Sequence, residues 1–264
     1  MKLPKIIHYC WFGGKPLDEK ALRCIESWKK YFPDYEIIQW NEQNFDINRC
    51  DFMRKAYDAR KWAFVSDVAR LMVIYDHGGI YFDTDVEVVA PYDDILASDA
   101  DGFLGLESTM CVNSGLGFGA IAHNQLIQKL IEQYQTLRYE DYSADLSQIA
   151  CTVLTTDVLL QQGFAAEDRK QRISGFDIYP TTYFSPIDYY TGKLRRTEQT
   201  HSIHWYNASW LNEQERKVFS RSRHLAAWIG RTASDHIWGI ADCIKREGFT
   251  AYIRKRINKY ILKK

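Results

Sequence analysis

The chain has 264 residues, 46% of them hydrophobic and 26% charged, with 15 Gly and 6 Pro; it is long enough to bury a sizeable core and too poor in Gly and Pro for collagen-like or long disordered tracts. Lys+Arg and Asp+Glu number 34 each, a neutrality that speaks against a nucleic-acid coat, yet residues 221–264 hold 11 Lys/Arg against 3 Asp/Glu, leaving 23 against 31 in the first 220. Six scattered cysteines without a C-x-x-C pair, no run of 18 apolar residues and no long apolar stretch after Met1-Lys2 lead us to expect a cytosolic enzyme with reduced thiols, neither secreted nor integral to a membrane.

In chain order, Lys5 to Cys10 reads as a short apolar strand, followed by the loop Trp11-Phe12-Gly13-Gly14-Lys15-Pro16 and a helical pattern from Leu17 to Tyr31 with Leu22, Ile25 and Trp28 on one face. Tyr35 to Trp40 is a second strand. Phe52 to Asp76 carries one helical periodicity, stopped by His77-Gly78-Gly79. Ile80-Tyr81-Phe82 is a third strand that runs into Asp83-Thr84-Asp85, and Val86 to Val89 is extended again. Gly102 to Leu106, Leu116 to Ala120, Asp177 to Tyr179 and Ser202 to Trp205 read as strands, and His123 to Leu137 and Ile149 to Gln161 as helices. Strands alternating with helices predict an α/β domain with a largely parallel sheet, its ligand beyond the carboxyl ends of the strands. From Arg221 the chain reads as basic helix, with Ile229, Ile237, Ile240 and Ile244 on one stripe and Ile253, Ile257, Tyr260 and Ile261 on a second after Gly248.

Asp83-Thr84-Asp85 is the sharpest chemical feature. Alternate residues of an extended chain point the same way, so both carboxylates can face one hard cation, Mn²⁺ or Mg²⁺, that shares its remaining positions with a diphosphate; the alternative is an ordinary turn. Asp99-Ala100-Asp101, which no strand precedes, reads as a solvated decoy. Asp67 and Arg70, three apart on an apolar helix, form either an ion pair or a pair that meets sugar hydroxyls and phosphate. His204 ends a late strand, as a structural histidine or a third metal ligand. Trp11, beside two glycines, either stacks a base or fills the core.

Taken together, residues 4–14 (PKIIHYCWFGG), Ser27-Trp28, residues 62–71 (WAFVSDVARL) and residues 75–85 (YDHGGIYFDTD) strongly resemble glycosyltransferase family 32, the sugar transferases with a D-x-D motif. The same core occurs in the catalytic domain of the large clostridial glucosylating toxins. The likeness covers most of residues 4–91 and, through Ile203-His204-Trp205 and Asn207-Ala208-Ser209-Trp210, extends to about residue 210. It implies a GT-A fold over residues 1–220, with the basic amphipathic helical extension at 221–264, and a nucleotide-sugar donor, UDP-linked by resemblance. It also implies a divalent cation and retention of anomeric configuration. Carried over by residue, Trp11 meets the base, Asp67 and Arg70 the donor sugar and its ribose or phosphate, and Tyr81 the donor. Asp83 takes the ribose or sugar side of the metal site, Asp85 binds the metal directly, and His204 binds the metal or diphosphate. Where many relatives have a Gly-rich segment this chain has Thr155-Thr156-Asp157, making Asp157 a candidate sugar or acceptor contact.

The implied reaction moves a hexose or N-acetylhexosamine to a glycan acceptor in capsular polysaccharide or O-antigen synthesis. A polyprenyl-diphosphate-linked acceptor would bring the enzyme to the anionic inner face of the cell membrane, which residues 221–264 would contact peripherally; otherwise these residues form an ordinary helical cap. A metal-dependent phosphohydrolase and a non-catalytic carbohydrate- or nucleotide-binding module are the competing readings.

Overall fold

Residues 2–143, 145–207 and 213–229 are described by the structure, a computed structural model. The chain divides into two units, Met1–Ile187 with Leu194–Trp210, and Asp188–Lys193 with Leu211–Lys264. The first unit holds, in order, β1 (Ile6–Cys10), α1 (Glu19–Tyr31), β2 (Glu36–Trp40), α2 (Asp51–Asp58), α3 (Trp62–His77), β3 (Gly79–Tyr81), β4 (Val86–Val88), α4 (Asp93–Leu96), β5 (Gly102–Gly105), β6 (Phe118–Ala120), α5 (Gln125–Thr136), α6 (Tyr139–Tyr142), α7 (Cys151–Leu160), β7 (Gln171–Ile173), β8 (Phe176–Tyr179), α8 (Thr181–Phe184) and β9 (Ser202–His204).

The α/β class is as expected. Seven strands form one sheet in the order β2-β1-β3-β6-β5-β8-β7, and β4 pairs with β9 in a separate antiparallel ribbon. The sheet is mixed rather than largely parallel: β1/β2, β1/β3 and β5/β8 are parallel, while β3/β6, β5/β6 and β7/β8 are antiparallel. The cause is β6, which lies between β3 and β5 and runs against both. The chain reaches it from β5 through a 3₁₀ turn at Ser114–Leu116 instead of a crossover helix. Successive strand residues supply opposite faces: Ile80 and Phe103 join an apolar cluster with Ile25 and Trp28 of α1, and Tyr81 and Leu104 join one with Val68 and Leu71 of α3. The sheet is therefore a middle layer, apolar on both sides.

Three local outcomes bear on the site. The single helix expected over 52–76 is two, because Arg60 adopts φ +56° between α2 and α3; a left-handed arginine carries no Gly or Pro signal. The break after α3 is the one expected, with Gly78 at φ +68° and its N–H donating to Ile74 O at 2.8 Å. On α1, capped by Asp18 accepting from Ala21 N, the buried face is Ala21, Cys24, Ile25 and Trp28, and the expected core residue Leu22 is 49% exposed. That face grips β4 along the edge opposite β9: Trp28 Nε1 donates to Val86 O at 2.8 Å, and Val88 N donates to Ser27 Oγ at 2.9 Å. Ser27-Trp28 thus anchors the strand that leaves the D-x-D turn.

In the second unit, α9 (Glu213–Ile229) carries Arg223, which lies over the Phe219 ring at 5.3 Å and donates to Asp188 O at 3.4 Å. The boundary expected at 220/221 falls inside this helix, and the isoleucine stripes beyond it lie outside the described residues. Among the described residues no helix is long and apolar enough to cross a membrane.

Candidate active site

Asp83 and Asp85 occupy the turn between β3 and β4, closed by Val86 N donating to Asp83 O at 3.0 Å. The strand alternation expected to align their carboxylates is absent, since the chain has left β3 at Tyr81; the turn itself makes them converge, each toward its own partners. Asp85 faces the β4/β9 ribbon, whose register sets Val86 against His204. Its Oδ1 lies 3.1 Å from His204 Nε2, its Oδ2 accepts from Asn207 N at 2.8 Å, and its carbonyl accepts from Trp205 N at 2.9 Å. Asp83 faces the sheet. Its Oδ1 accepts from Tyr81 OH at 3.0 Å and lies 3.4 Å from Arg70 Nη2, which also pairs with Asp67 Oδ1 at 2.5 Å.

Arg70 is thus more than half of an intrahelical pair. Its Nε donates to Ser66 O at 3.2 Å, its Nη1 to Ser114 Oγ at 3.4 Å, and its guanidinium sits 5.3 Å above the Tyr81 ring. Gly115 completes this side, where a Cβ would stand 2.5 Å from Asp83 Oδ2 and 3.1 Å from Arg70 Nη1. The two motif carboxylates titrate in opposite senses. Burial pushes Asp83 up, Arg70 only partly opposing it. Burial also acts upward on Asp85, but the adjacent His204 and the Asn207 N–H outweigh it and hold the group below the usual carboxylate range. Burial pushes Asp67 up to about 6. His204 is raised, the Asp85 charge overcoming the opposing effect of burial.

Asp83, Asp85 and His204 each offer a ligand atom, and these atoms lie within 4.8 Å of one another. His204 Nδ1 is buried with no hydrogen-bond partner among the described residues. Two carboxylate oxygens and an imidazole nitrogen suit Mn²⁺, and Mg²⁺ less closely, so the donor set fits a divalent cation. Beyond Asp85 opens a cavity of ≈ 400 Å³ lined by Lys20, Arg23, Cys24, Glu87, Trp205 and Asn207. Lys20 Nζ donates to Asn207 Oδ1 at 3.4 Å, and Trp205, 42% exposed, donates its indole N–H to Glu87 Oε2 at 2.9 Å.

Six of the expected site residues therefore come together: Asp67, Arg70, Tyr81, Asp83, Asp85 and His204. Among the described residues neither Trp11 nor Asp157 is bonded to this group. Trp11 is half-buried past the end of β1, its Nε1 donating to Lys15 O at 2.6 Å. The neighbouring Gly13, at φ +94°, lies so close to Trp62 that a Cβ would stand 2.7 Å from its ring. Asp157 is exposed on α7, while the adjacent Thr155 and Thr156 are buried. The decoy Asp99 is paired with Arg172 at 2.6 Å. Sequence reading missed Lys20 and Arg23, whose signal was a pair of cations near a helix N-terminus, where the helix dipole disfavours them. It also missed Glu107 and Tyr206, described below, for which no local pattern exists.

Residues 18–101 match the family described as glycosyltransferase sugar-binding region containing DXD motif. Subversion of eukaryotic traffic protein A of Legionella pneumophila is 27% identical over 164 residues, half of this chain and 25% of that protein. Inositol phosphoceramide mannosyltransferase 3 of Schizosaccharomyces pombe is 32% identical over 88 residues, 32% of this chain and 24% of that enzyme. The chain thus spans about a quarter of the length of these curated relatives. The solved structure of the PaToxG glycosyltransferase aligns with 60% of this chain and 69% of its own, at 20% identity and a TM-score of 0.49. Through residues 18–101, which contain the D-x-D turn, the chain is similar to the family of the DXD-containing glycosyltransferase sugar-binding region.

Proposed function

We propose that the chain is a retaining glycosyltransferase of GT-A architecture that uses a divalent cation and moves a hexose or N-acetylhexosamine from a nucleotide sugar, UDP-linked in the first instance, to a glycan acceptor. The observation that carries the reading is the division of labour in one turn: Asp85 joins His204 on one side, and Asp83 joins Arg70, Tyr81 and Asp67 on the other. Cleaving the bond from the anomeric carbon to the phosphate oxygen leaves positive charge on the sugar and negative charge on the departing nucleoside diphosphate. Asp83, Asp85 and His204 would hold a cation, Mn²⁺ or Mg²⁺, that supplies Lewis-acid stabilisation of that diphosphate. On the same side, the exposed Lys20 and Arg23 add positive charge at the cavity wall. On the other side, the Asp67 carboxylate accepts from sugar hydroxyls while Arg70, held by Asp67, Ser66 and Ser114, keeps its guanidinium in place without reorganisation. With the diphosphate oxygen released on the face that the acceptor enters, that oxygen takes the acceptor's proton, so the scheme needs no enzyme nucleophile.

Trp11 is assigned to the base and Asp157 to a sugar or acceptor contact, and residues 1–220 and 221–264 to catalytic domain and basic extension. The setting we infer is assembly of a capsular polysaccharide or O-antigen on a polyprenyl-diphosphate-linked acceptor at the inner membrane face. The net positive charge of residues 221–264 supports it, as does a relative named for transfer to inositol phosphoceramide, a phosphate-bearing lipid.

The test is a thermal-shift screen of UDP- and GDP-sugars with and without Mn²⁺, followed by acceptor-dependent release of the nucleoside diphosphate. We expect a Mn²⁺-dependent rise in Tm with one donor, and loss of transfer in Asp85→Ala. Full transfer by Asp85→Ala would remove the metal assignment. Release of inorganic phosphate without acceptor would indicate a hydrolase, and donor binding without turnover over an acceptor panel a binding module.

A further inference from the structure

Just past β5 the chain turns back on itself, Glu107 N donating to Cys111 O at 3.0 Å and Met110 N to Glu107 O at 2.9 Å. The turn leaves Glu107 6% exposed. A buried carboxylate must be met by donors, and three converge on it, two from its own loop and one from Tyr206, 99 residues on. Thr109 Oγ1 donates to Oε1 at 2.5 Å, Asn113 Nδ2 donates to Oε2 at 3.0 Å, and Tyr206 OH reaches Oε2 at 3.5 Å. The last two lead to opposite sides of the candidate site.

Asn113 can present its amide either way round, and Glu107 selects one. With Nδ2 committed to the carboxylate, Oδ1 points at the next turn and accepts from Gly115 N at 2.6 Å and from Cys151 Sγ at 3.7 Å. Gly115 is the residue beside Asp83 and Arg70 that leaves no room there for a Cβ. On the other side, the Tyr206 ring packs edge-on against His204 with centroids 4.3 Å apart, and its hydroxyl is held between Glu107 and Ser185 Oγ, 2.7 Å away. Tyr206 adopts φ +51°, a left-handed conformation that a bulky residue keeps only where its surroundings hold it.

We propose that Glu107 is a positioning residue of this site. Through the amide of Asn113 it sets Gly115 against Asp83 and Arg70, and through Tyr206 it sets the ring of His204, so that the two segments flanking the Asp83/Asp85/His204 group share one buried anchor. The role rests on the transferase reading only for its kinetic consequences; the hydrogen-bond chain exists independently of the reaction. Glu107 itself touches no expected substrate atom, its oxygens being committed to Thr109, Asn113 and Tyr206.

The chemistry supplies its own test. In Glu107→Leu, of similar length but with no polar atom, nothing accepts from Asn113 Nδ2, so the Asn113 amide loses its fixed sense. In Glu107→Gln/Asn113→Asp the polarity is reversed and restored: the new amide at 107 donates to the new carboxylate at 113, whose second oxygen still accepts from Gly115 N. Tyr206 OH can then donate to Ser185 instead. Four quantities are read on the full chain: exchange of the Gly115 amide hydrogen, the dissociation constant for Mn²⁺, kcat and KM for transfer, and Tm. We expect Glu107→Leu to speed Gly115 exchange about tenfold, the worth of one hydrogen bond. It should also weaken Mn²⁺ binding or lower kcat by about 10–100-fold, as loss of an outer-sphere partner does, with KM for the donor moving less. The double variant should recover both within a few-fold.

Unchanged Gly115 exchange in the single variant, or no recovery in the double, overturns the proposal. If Glu107→Leu does not fold, Tyr206→Phe, which deletes one hydroxyl, should weaken Mn²⁺ binding several-fold, and wild-type affinity there overturns the His204 arm. Should the wild-type chain bind neither Mn²⁺ nor any nucleotide sugar, the transferase reading falls, while Gly115 exchange still decides the role of Glu107.

Discussion

His8 keeps its ring neutral by geometry. Nδ1 accepts from Trp40 Nε1 at 3.1 Å and Nε2 donates to Gly78 O at 2.9 Å, and a second proton would set two N–H groups face to face. Burial lowers its pKa from 6.5 to about 4. The unfolded chain takes up the proton near 6.5 and the folded chain only near 4, so the stabilisation is whole above pH 6.5 and is lost as pH falls toward 4. That difference is worth about 3 kcal/mol at its limit. His8→Gln, which can still accept from Trp40 and donate to Gly78, should flatten the dependence of Tm on pH between 6.5 and 4; an unchanged slope would locate the proton elsewhere. Gly115 makes a functional case at the same scale. In Gly115→Ala the new methyl cannot coexist with Asp83 Oδ2 at 2.5 Å, and displacing that carboxylate by about 1 Å should lower kcat about 100-fold. Gly115 is buried in the 3₁₀ turn at Ser114–Leu116, so the crowding should also lower Tm by a few degrees; wild-type kcat in a folded Gly115→Ala would show that the close approach to Asp83 does not matter to transfer.

At the scale of elements, the β7–β8 hairpin shows what the sequence carries and what it conceals. Asp177, on β8, was legible as part of a strand, but β7 was not read at all, because Gln171-Arg172-Ile173 has neither alternation nor β-branched enrichment. The pairing depends instead on charge. Asp177, whose side chain is 1% exposed, meets Arg172 Nε at 2.8 Å, Lys170 Nζ at 3.1 Å and Ser98 Oγ at 2.6 Å. Burial alone would raise its pKa, but Arg172, Ser98 and Lys170 together hold it at about 2. A carboxylate depressed in this way stabilises the fold above pH 3.8, and the contribution is lost as pH falls through 2. Asp177→Asn should cost about 1–2 kcal/mol at neutral pH, discounted for its half-exposed partners, and lower Tm by about 3–6 °C. The difference from wild type should narrow below pH 3.8; a constant gap would refute the ion-pair account.

The same contrast governs the site. β1, α1, β2, the end of α3 and the D-x-D turn were legible because apolar period, capping and glycine are local signals. The reversal of β6, the break at Arg60 and the convergence of Glu107, Asn113 and Tyr206 were not, because each is decided by contacts between segments far apart in the chain. Even the D-x-D carboxylates come near each other by another route than the one expected, a turn having replaced the strand whose alternation was invoked.

At the scale of the whole molecule, formal neutrality is the sum of two opposite parts: 31 Asp/Glu against 23 Lys/Arg in the first 220 residues, and 3 against 11 in residues 221–264. A first part this acidic would need a cation and basic side chains before it could hold a diphosphate. The basic part has a different consequence. Residues 249–264 alone contain Arg254, Lys255, Arg256, Lys259, Lys263 and Lys264 and no acid. Near an anionic lipid surface each such charge is worth about 1 kcal/mol at low salt. If one third of that is realised over the six charges, about 2 kcal/mol, removing them weakens binding about 30-fold. The full chain should therefore sediment with phosphatidylserine-containing vesicles and not with neutral ones, and should be released at about 0.5 M NaCl, where screening acts within a few ångströms. Deleting residues 249–264 should abolish sedimentation while leaving transfer to a water-soluble acceptor unchanged. Co-sedimentation that survives the deletion, or that ignores both salt and lipid charge, would assign the basic segment to the protein itself rather than to a membrane.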